Sequence, residues 1–104
     1  IYYKIISREV MKVLGLDLLT DFSKKHANAK SQLDAWYAEA KDANWKTTHD
    51  IKQRYSSADF LSDNRVIFNI KGNDYRLVVK VRYQNGIVKI EWLGTHAEYS
   101  KKKF

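Results

Sequence analysis

The chain contains no cysteine. That excludes a disulfide framework and any thiolate metal site, and it agrees with a cytoplasmic protein. No apolar run reaches the roughly twenty residues of a membrane span, so no membrane partner is expected. Ile1–Ile6 is apolar but broken by Lys4, and it is too short for the core of a signal peptide. There is no His-Glu-x-x-His pattern, no Cys-x-x-Cys pair and no carboxylate cluster suited to two-metal chemistry. Neither a metal nor another cofactor is therefore expected. Low-complexity segments and internal repeats are lacking as well.

What is present is a short, basic, apolar-rich chain. Its 104 residues are read as one domain, 1–104. With 44% hydrophobic and 13% aromatic residues it can pack a core rather than remain disordered. Nineteen Lys and Arg against twelve Asp and Glu leave a net charge of +7. A surplus of that size favours a polyanion, whether RNA, DNA or an acidic protein, although plain solubility accounts for it equally well.

Ile1–Ser7 reads as a strand, dense in β-branched and aromatic residues. From about Arg8 a helical pattern follows, with Val10, Leu14, Leu18 and Phe22 at four-residue steps and Gly15 as a possible interruption. A second helix is expected over Ala29–Asp42, capped by Asn28, with Leu33, Trp36, Tyr37 and Ala40 facing inward. Thr47 and Asp50 have capping-box spacing and begin a short third helix that buries Ile51 and Tyr55. Ser56–Asp59 reads as a loop. Beyond Phe60 the period changes to alternation, giving strands over Arg65–Lys71, Tyr75–Tyr83 and Ile87–Gly94. Lys71–Asp74 and Asn85-Gly86 carry hairpin signals. The fold class expected is α+β, with two to three N-terminal helices on one face of a twisted antiparallel sheet.

A two-residue Asn85-Gly86 loop would place Val81 opposite Ile90 and Val79 opposite Trp92. A Gly72-Asn73 loop would place Leu77 opposite Phe68 and Val79 opposite Val66. These apolar pairs share the core face. The opposite face would then carry one row of Asn69, Arg76 and Thr95, a second of Arg65, Lys80 and Glu91, and Arg82 beside Lys89. An apolar row of Ile67, Val78 and Leu93 would lie between them, to be covered by Ala97–Phe104 or by a partner. Arg76, Lys71, Asn69 and His96 at one end of that face could hold a phosphate. A solvated face is polar in any sheet, so the rows alone do not establish a site. His26 and His49 are read as surface residues, which leaves His96 as the histidine of interest.

Val66–Val79 followed by Ile87–Tyr99 resembles the HigB-type toxins of the RelE superfamily. Phe68-Asn69-Ile70-x-Gly72-Asn73-x-Tyr75-Arg76-Leu77 and Gly94-Thr95-His96-x-Glu98-Tyr99 carry the resemblance. Ile6–Arg8, Leu33–Tyr37, Asp42–Trp45 and Ser57–Asp59 extend it over nearly the whole chain. Val10–Leu19 departs from it, being longer than the family's usual first helix.

The resemblance implies a type II toxin–antitoxin toxin that cleaves mRNA on the translating ribosome. It also implies a HigA-like helix-turn-helix antitoxin, with DNA reached only through that antitoxin. By motif position, Arg76, His96, Lys71 and Tyr99 would be catalytic. Arg76 and Lys71 would stabilise phosphate charge and His96 would transfer a proton. Tyr99 would stack on a base or take the complementary proton role. Asn69 and Asn73 would hold loop and sugar-phosphate geometry, while Lys80, Arg82, Lys101 and Lys102 would add RNA affinity. A noncatalytic RNA- or ribosome-binding module is the alternative, and a protein-interaction domain using the apolar row is a third reading.

Overall fold

The computed structural model of the protein describes residues 10–104. The strand expected over Ile1–Ser7 lies outside the described residues. Strand β1 (Lys12–Leu14) is followed by helix α1 (Leu16–Lys25), a single 3-10 turn at Ala27–Ala29, α2 (Lys30–Asp42) and α3 (Thr48–Arg54). Then come β2 (Asp59–Leu61), β3 (Arg65–Ile70), β4 (Tyr75–Arg82), β5 (Ile87–Thr95) and α4 (His96–Ser100). The sheet order is β1-β5-β4-β3-β2. The sheet is antiparallel, as expected, except at β1, which pairs parallel with β5 and makes it mixed.

The helical pattern expected from about Arg8 is a helix only from Leu16 onward, and Gly15 marks the break. Val13 lies opposite Val88 in the sheet, and the helix begins only after Gly15. Gly15 has φ 85°, and a Cβ there would stand 2.7 Å from the Ile90 carbonyl oxygen. The chain can therefore turn from strand to helix against β5 only with glycine at this point. Asn28 does not cap α2; its Oδ1 accepts from the Tyr75 hydroxyl at 2.6 Å, which ties the turn to β4. The α3 capping box is formed as expected, with Thr47 accepting from the Asp50 N–H and Asp50 accepting from the Thr47 N–H. Asp59, read as loop, starts β2, which pairs with β3 across a turn where Asp63 and Asn64 are left-handed.

Phe68 centres the core. Its ring meets Tyr55 at 5.0 Å, Trp36 at 5.5 Å and Trp45 at 6.1 Å between centroids. Around it lie Leu33, Ile51, Val66, Leu77, Val79, Val81, Val88 and Ile90, all buried. Burying such aliphatic and aromatic side chains contributes about 1.5–3 kcal/mol each, which is what holds α1 to α3 on this face. At its rim, Tyr55 and Arg54 both donate to the Glu39 carboxylate. The Tyr55 bond, first among the causes, holds Glu39 below the usual carboxylate range.

The two hairpins differ in how far they follow the expected register. Phe68 faces Leu77 and Val66 faces Val79, as expected. The second hairpin closes two residues earlier than expected, with Val81 opposite Val88 and Val79 opposite Ile90. Its loop spans Tyr83–Gly86, because the Asn85 N–H donates to the Arg82 carbonyl and Gly86 takes the left-handed region. A bulge at Glu91 then shifts the rest of β5, leaving Val78 opposite Trp92, Leu77 opposite Leu93 and Arg76 opposite Gly94.

The bulge puts Trp92, not Leu93, in the open-face row with Ile67 and Val78. Leu93 packs against the core instead. Tyr99 and Phe104 lie 6.0 and 6.1 Å from the Trp92 ring. The C-terminal segment thus covers this row, one of the two expected occupants.

Candidate functional site

Arg76 is the one buried charged side chain among the described residues, 8% exposed. Buried charges ordinarily have an opposite charge beside them, and the other described arginines are either paired or exposed. Arg54 pairs with Glu39 and Arg65 with Glu91, both at 2.7 Å, while Arg82 is exposed. Among the described residues, Arg76 meets neutral groups only. Nη1 donates to the carbonyls of Asn73 (3.1 Å) and Tyr75 (3.3 Å). Nη2 donates to Asn73 Oδ1 at 3.2 Å and to His96 Nδ1 at 2.8 Å. The nearest carboxylate in sequence, Asp74, pairs instead with Lys71 Nζ at 3.8 Å. The result is a fixed guanidinium whose charge no group among the described residues cancels.

His96 arrives by the capping of α4. Thr95 Oγ1 accepts from the Glu98 N–H at 3.1 Å and Glu98 Oε1 accepts from the Thr95 N–H at 2.8 Å. The His96 N–H then donates to the Asp74 carbonyl at 3.0 Å, fastening the start of α4 to the β3–β4 turn. A guanidinium only donates, so Nδ1 is the acceptor and the ring proton sits on Nε2.

The same Thr95 N–H, first among the causes, holds the Glu98 carboxyl below its usual range. A depressed carboxyl contributes stability above its unfolded pKa and loses it as pH falls through the folded one, so α4 should loosen in acid. Thr95→Ala removes the side-chain cap and should cost about 1 kcal/mol. A thermal melt at neutral pH checks this, and an unchanged midpoint would show the cap to be idle.

The other expected site residues divide into near and far. Asn69 lies opposite Arg76, but its Nδ2 donates to the Ser57 carbonyl at 3.2 Å, holding β3 to the preceding loop. Thr95, expected in this row, lies opposite Tyr75, and Gly94 takes its place. Lys71 is half-buried with a left-handed backbone, and its N–H donates to the Gln32 side chain. Tyr99 stands one turn along α4 from His96 and packs on Trp92.

Lys80 is tied to Asp63 at 2.9 Å and lies opposite Lys89; Glu91, expected there, sits in the bulge and pairs with Arg65. Arg82 faces Ile87 rather than Lys89 and is six residues along β4 from Arg76, about 20 Å at strand rise. Lys101 and Lys102 are exposed, with Lys102 Nζ over the Phe104 ring at 5.8 Å.

His49 is exposed as expected, but His26 is not a free surface residue. It is half-buried, stacked on Phe22 at 4.4 Å and 5.2 Å from the Tyr75 ring. Sequence reasoning also missed the Thr95-x-x-Glu98 capping box, which carries the same signal as Thr47 and Asp50. Among the described residues, no three of His, Asp and Glu gather as a metal-binding group. No described helix is long and apolar enough to cross a membrane.

Helices α1 to α3 on one face of a five-stranded sheet, with a histidine and a buried arginine at its end, define a small α+β domain of the RelE-like kind. Residues 29–102 match the HigB_toxin family model, described as the RelE-like toxic component of a toxin-antitoxin system, and the chain belongs to that family. It is thus a toxin-antitoxin toxin, and membership implies an antitoxin partner. No curated protein matches the chain.

Proposed function

We propose that the protein is a cytoplasmic, metal-independent endoribonuclease that cleaves mRNA on the translating ribosome and is held in check by a HigA-like helix-turn-helix antitoxin. One observation carries this reading: a buried guanidinium bounded, among the described residues, only by neutral acceptors and in contact with a histidine. Such a cation calls for an anion, and the net charge of +7 favours a polyanionic one.

In the reaction proposed, the RNA 2′-hydroxyl attacks the adjacent phosphorus. The 2′-O–P bond forms, the P–O5′ bond breaks, and the products are a 2′,3′-cyclic phosphate and a 5′-hydroxyl. Arg76 neutralises charge building on the phosphate oxygens, with Lys71 as a second cation. A phosphate that draws Nη2 onto its own oxygens releases His96 Nδ1. The imidazole is then free to take the 2′-hydroxyl proton, and an acid must return a proton to O5′. Tyr99, on the same short helix, would leave its packing on Trp92 to stack on a base or to serve that second role. Lys101 and Lys102 add affinity through phosphates outside the reacting one.

Mapping mRNA 5′ ends in cells that express the chain without its antitoxin tests the reading. New internal ends, phased with codons, are expected. Growth arrest with intact mRNA would instead mark a noncatalytic RNA- or ribosome-binding module. Binding of an RNA single strand should also weaken with salt, the log–log slope being about −0.7 per phosphate neutralised.

A further inference from the structure

The Lys71–Asp74 turn places a neutral amide where a carboxylate would normally stand. Asn73 holds Arg76 twice, through its carbonyl at 3.1 Å and its Oδ1 at 3.2 Å. The amide orientation follows from chemistry, since a flipped amide would set donors against donors. Its Nδ2 has no acceptor among the described residues, and the side chain is exposed. The real carboxylate of the turn, Asp74, faces Lys71. The turn therefore fixes the guanidinium without cancelling its charge and leaves an amide N–H₂ free beside it.

We propose that Asn73 is a positioning residue whose neutrality is its function: Oδ1 aims the guanidinium, and Nδ2 donates to the same phosphate oxygen that Arg76 binds. This rests on the reading of Arg76 as the phosphate-binding cation, and it assigns Asn73 to one anion rather than to general RNA affinity. An aspartate at 73 would serve the fold at least as well, because it would form a charge-assisted bond with Arg76. It would serve the anion badly, since the cation would already be neutralised and the second donor lost.

The two roles rank the variants in opposite orders. Asn73→Asp should melt at or above the wild-type temperature, and Asn73→Ala at or below it. For affinity toward a short uncleavable 2′-O-methyl RNA, and toward inorganic phosphate, Asn73→Asp should be the weaker binder of the two. It should fall about tenfold to a hundredfold below wild type, the range of one lost charge-assisted hydrogen bond.

If Asn73→Asp binds both probes as wild type does, or melts lower than Asn73→Ala, the inference is overturned. Arg76→Ala separates this failure from that of the underlying reading. Should Arg76→Ala bind both probes normally, the phosphate role of Arg76 falls. Should it lose binding while Asn73→Asp keeps it, only the role of Asn73 falls.

Discussion

Arg76→Ala should release expressing cells from growth arrest and slow RNA cleavage by about 10²–10³-fold, the usual effect of removing one preorganised charge-stabilising donor. The fold should survive. Among the described residues Arg76 makes no ion pair, and of its hydrogen-bond partners the Asn73 carbonyl, the exposed Asn73 amide and the exposed imidazole can be served by water in its place. Removing a buried charge that no carboxylate offsets also relieves a desolvation cost, so the melting temperature should hardly move.

Arg76→Lys sharpens the test. The ammonium keeps the charge but lacks the planar fork that reaches Asn73, Tyr75 and His96 together, so the activity should fall between those of wild type and alanine. Circular dichroism and a thermal melt establish folding, and end-mapping of a reporter mRNA measures cleavage. An alanine variant as toxic as the parent removes Arg76 from the mechanism.

The convergence of Arg76 and His96 was legible in the sequence, although only one of the two hairpin registers behind it was right. The second hairpin was placed two residues out, and the bulge at Glu91 was not foreseen. A shift of two leaves every side chain on its face, so the core of Val79, Val81, Val88 and Ile90 came out correctly. The bulge then moved Leu93 and Trp92 to faces opposite those expected. One unpaired residue in an alternating stretch leaves no compositional mark, since Glu91 suits an exposed strand position and a bulge alike.

His96 still reaches Arg76 because the chain does not continue as a strand. The α4 capping box folds it back over the Asp74 carbonyl, a local device that does not depend on which residue faces Arg76. β1 was illegible for a different reason. Three residues are too few to show a period, and Val10 and Leu14 fit a helical stripe by accident of spacing. Only the closeness of Gly15 to Ile90, a tertiary fact, decides the matter.

Gly94→Ala is expected to loosen the whole C-terminal cover. A Cβ at 94 would stand 2.3 and 2.5 Å from the Cη2 and Cζ2 atoms of Trp92, and 3.0 Å from Glu98 Oε1. The first two contacts are impossible, so the indole must move. It is hemmed in by Tyr99 and Phe104, and Glu98 is held in turn by the Thr95 N–H. Moving the ring therefore disturbs both the cover over Ile67 and Val78 and the cap that aims His96.

Overpacking of this kind costs about 1–3 kcal/mol, which for a domain near this size lowers the melting temperature by roughly 4–8 °C per kcal/mol. Trp36 and Trp45 are buried and Trp92 is half-buried, so a red shift in tryptophan emission should report the displaced indole. Arg76 faces Gly94 across the sheet but keeps its bonds to Asn73 and the Tyr75 carbonyl, which do not involve α4, so affinity for the uncleavable RNA should fall less than turnover does. Unchanged melting and unchanged emission would mean that the ring yields freely, and that the cover contributes nothing to the placement of His96.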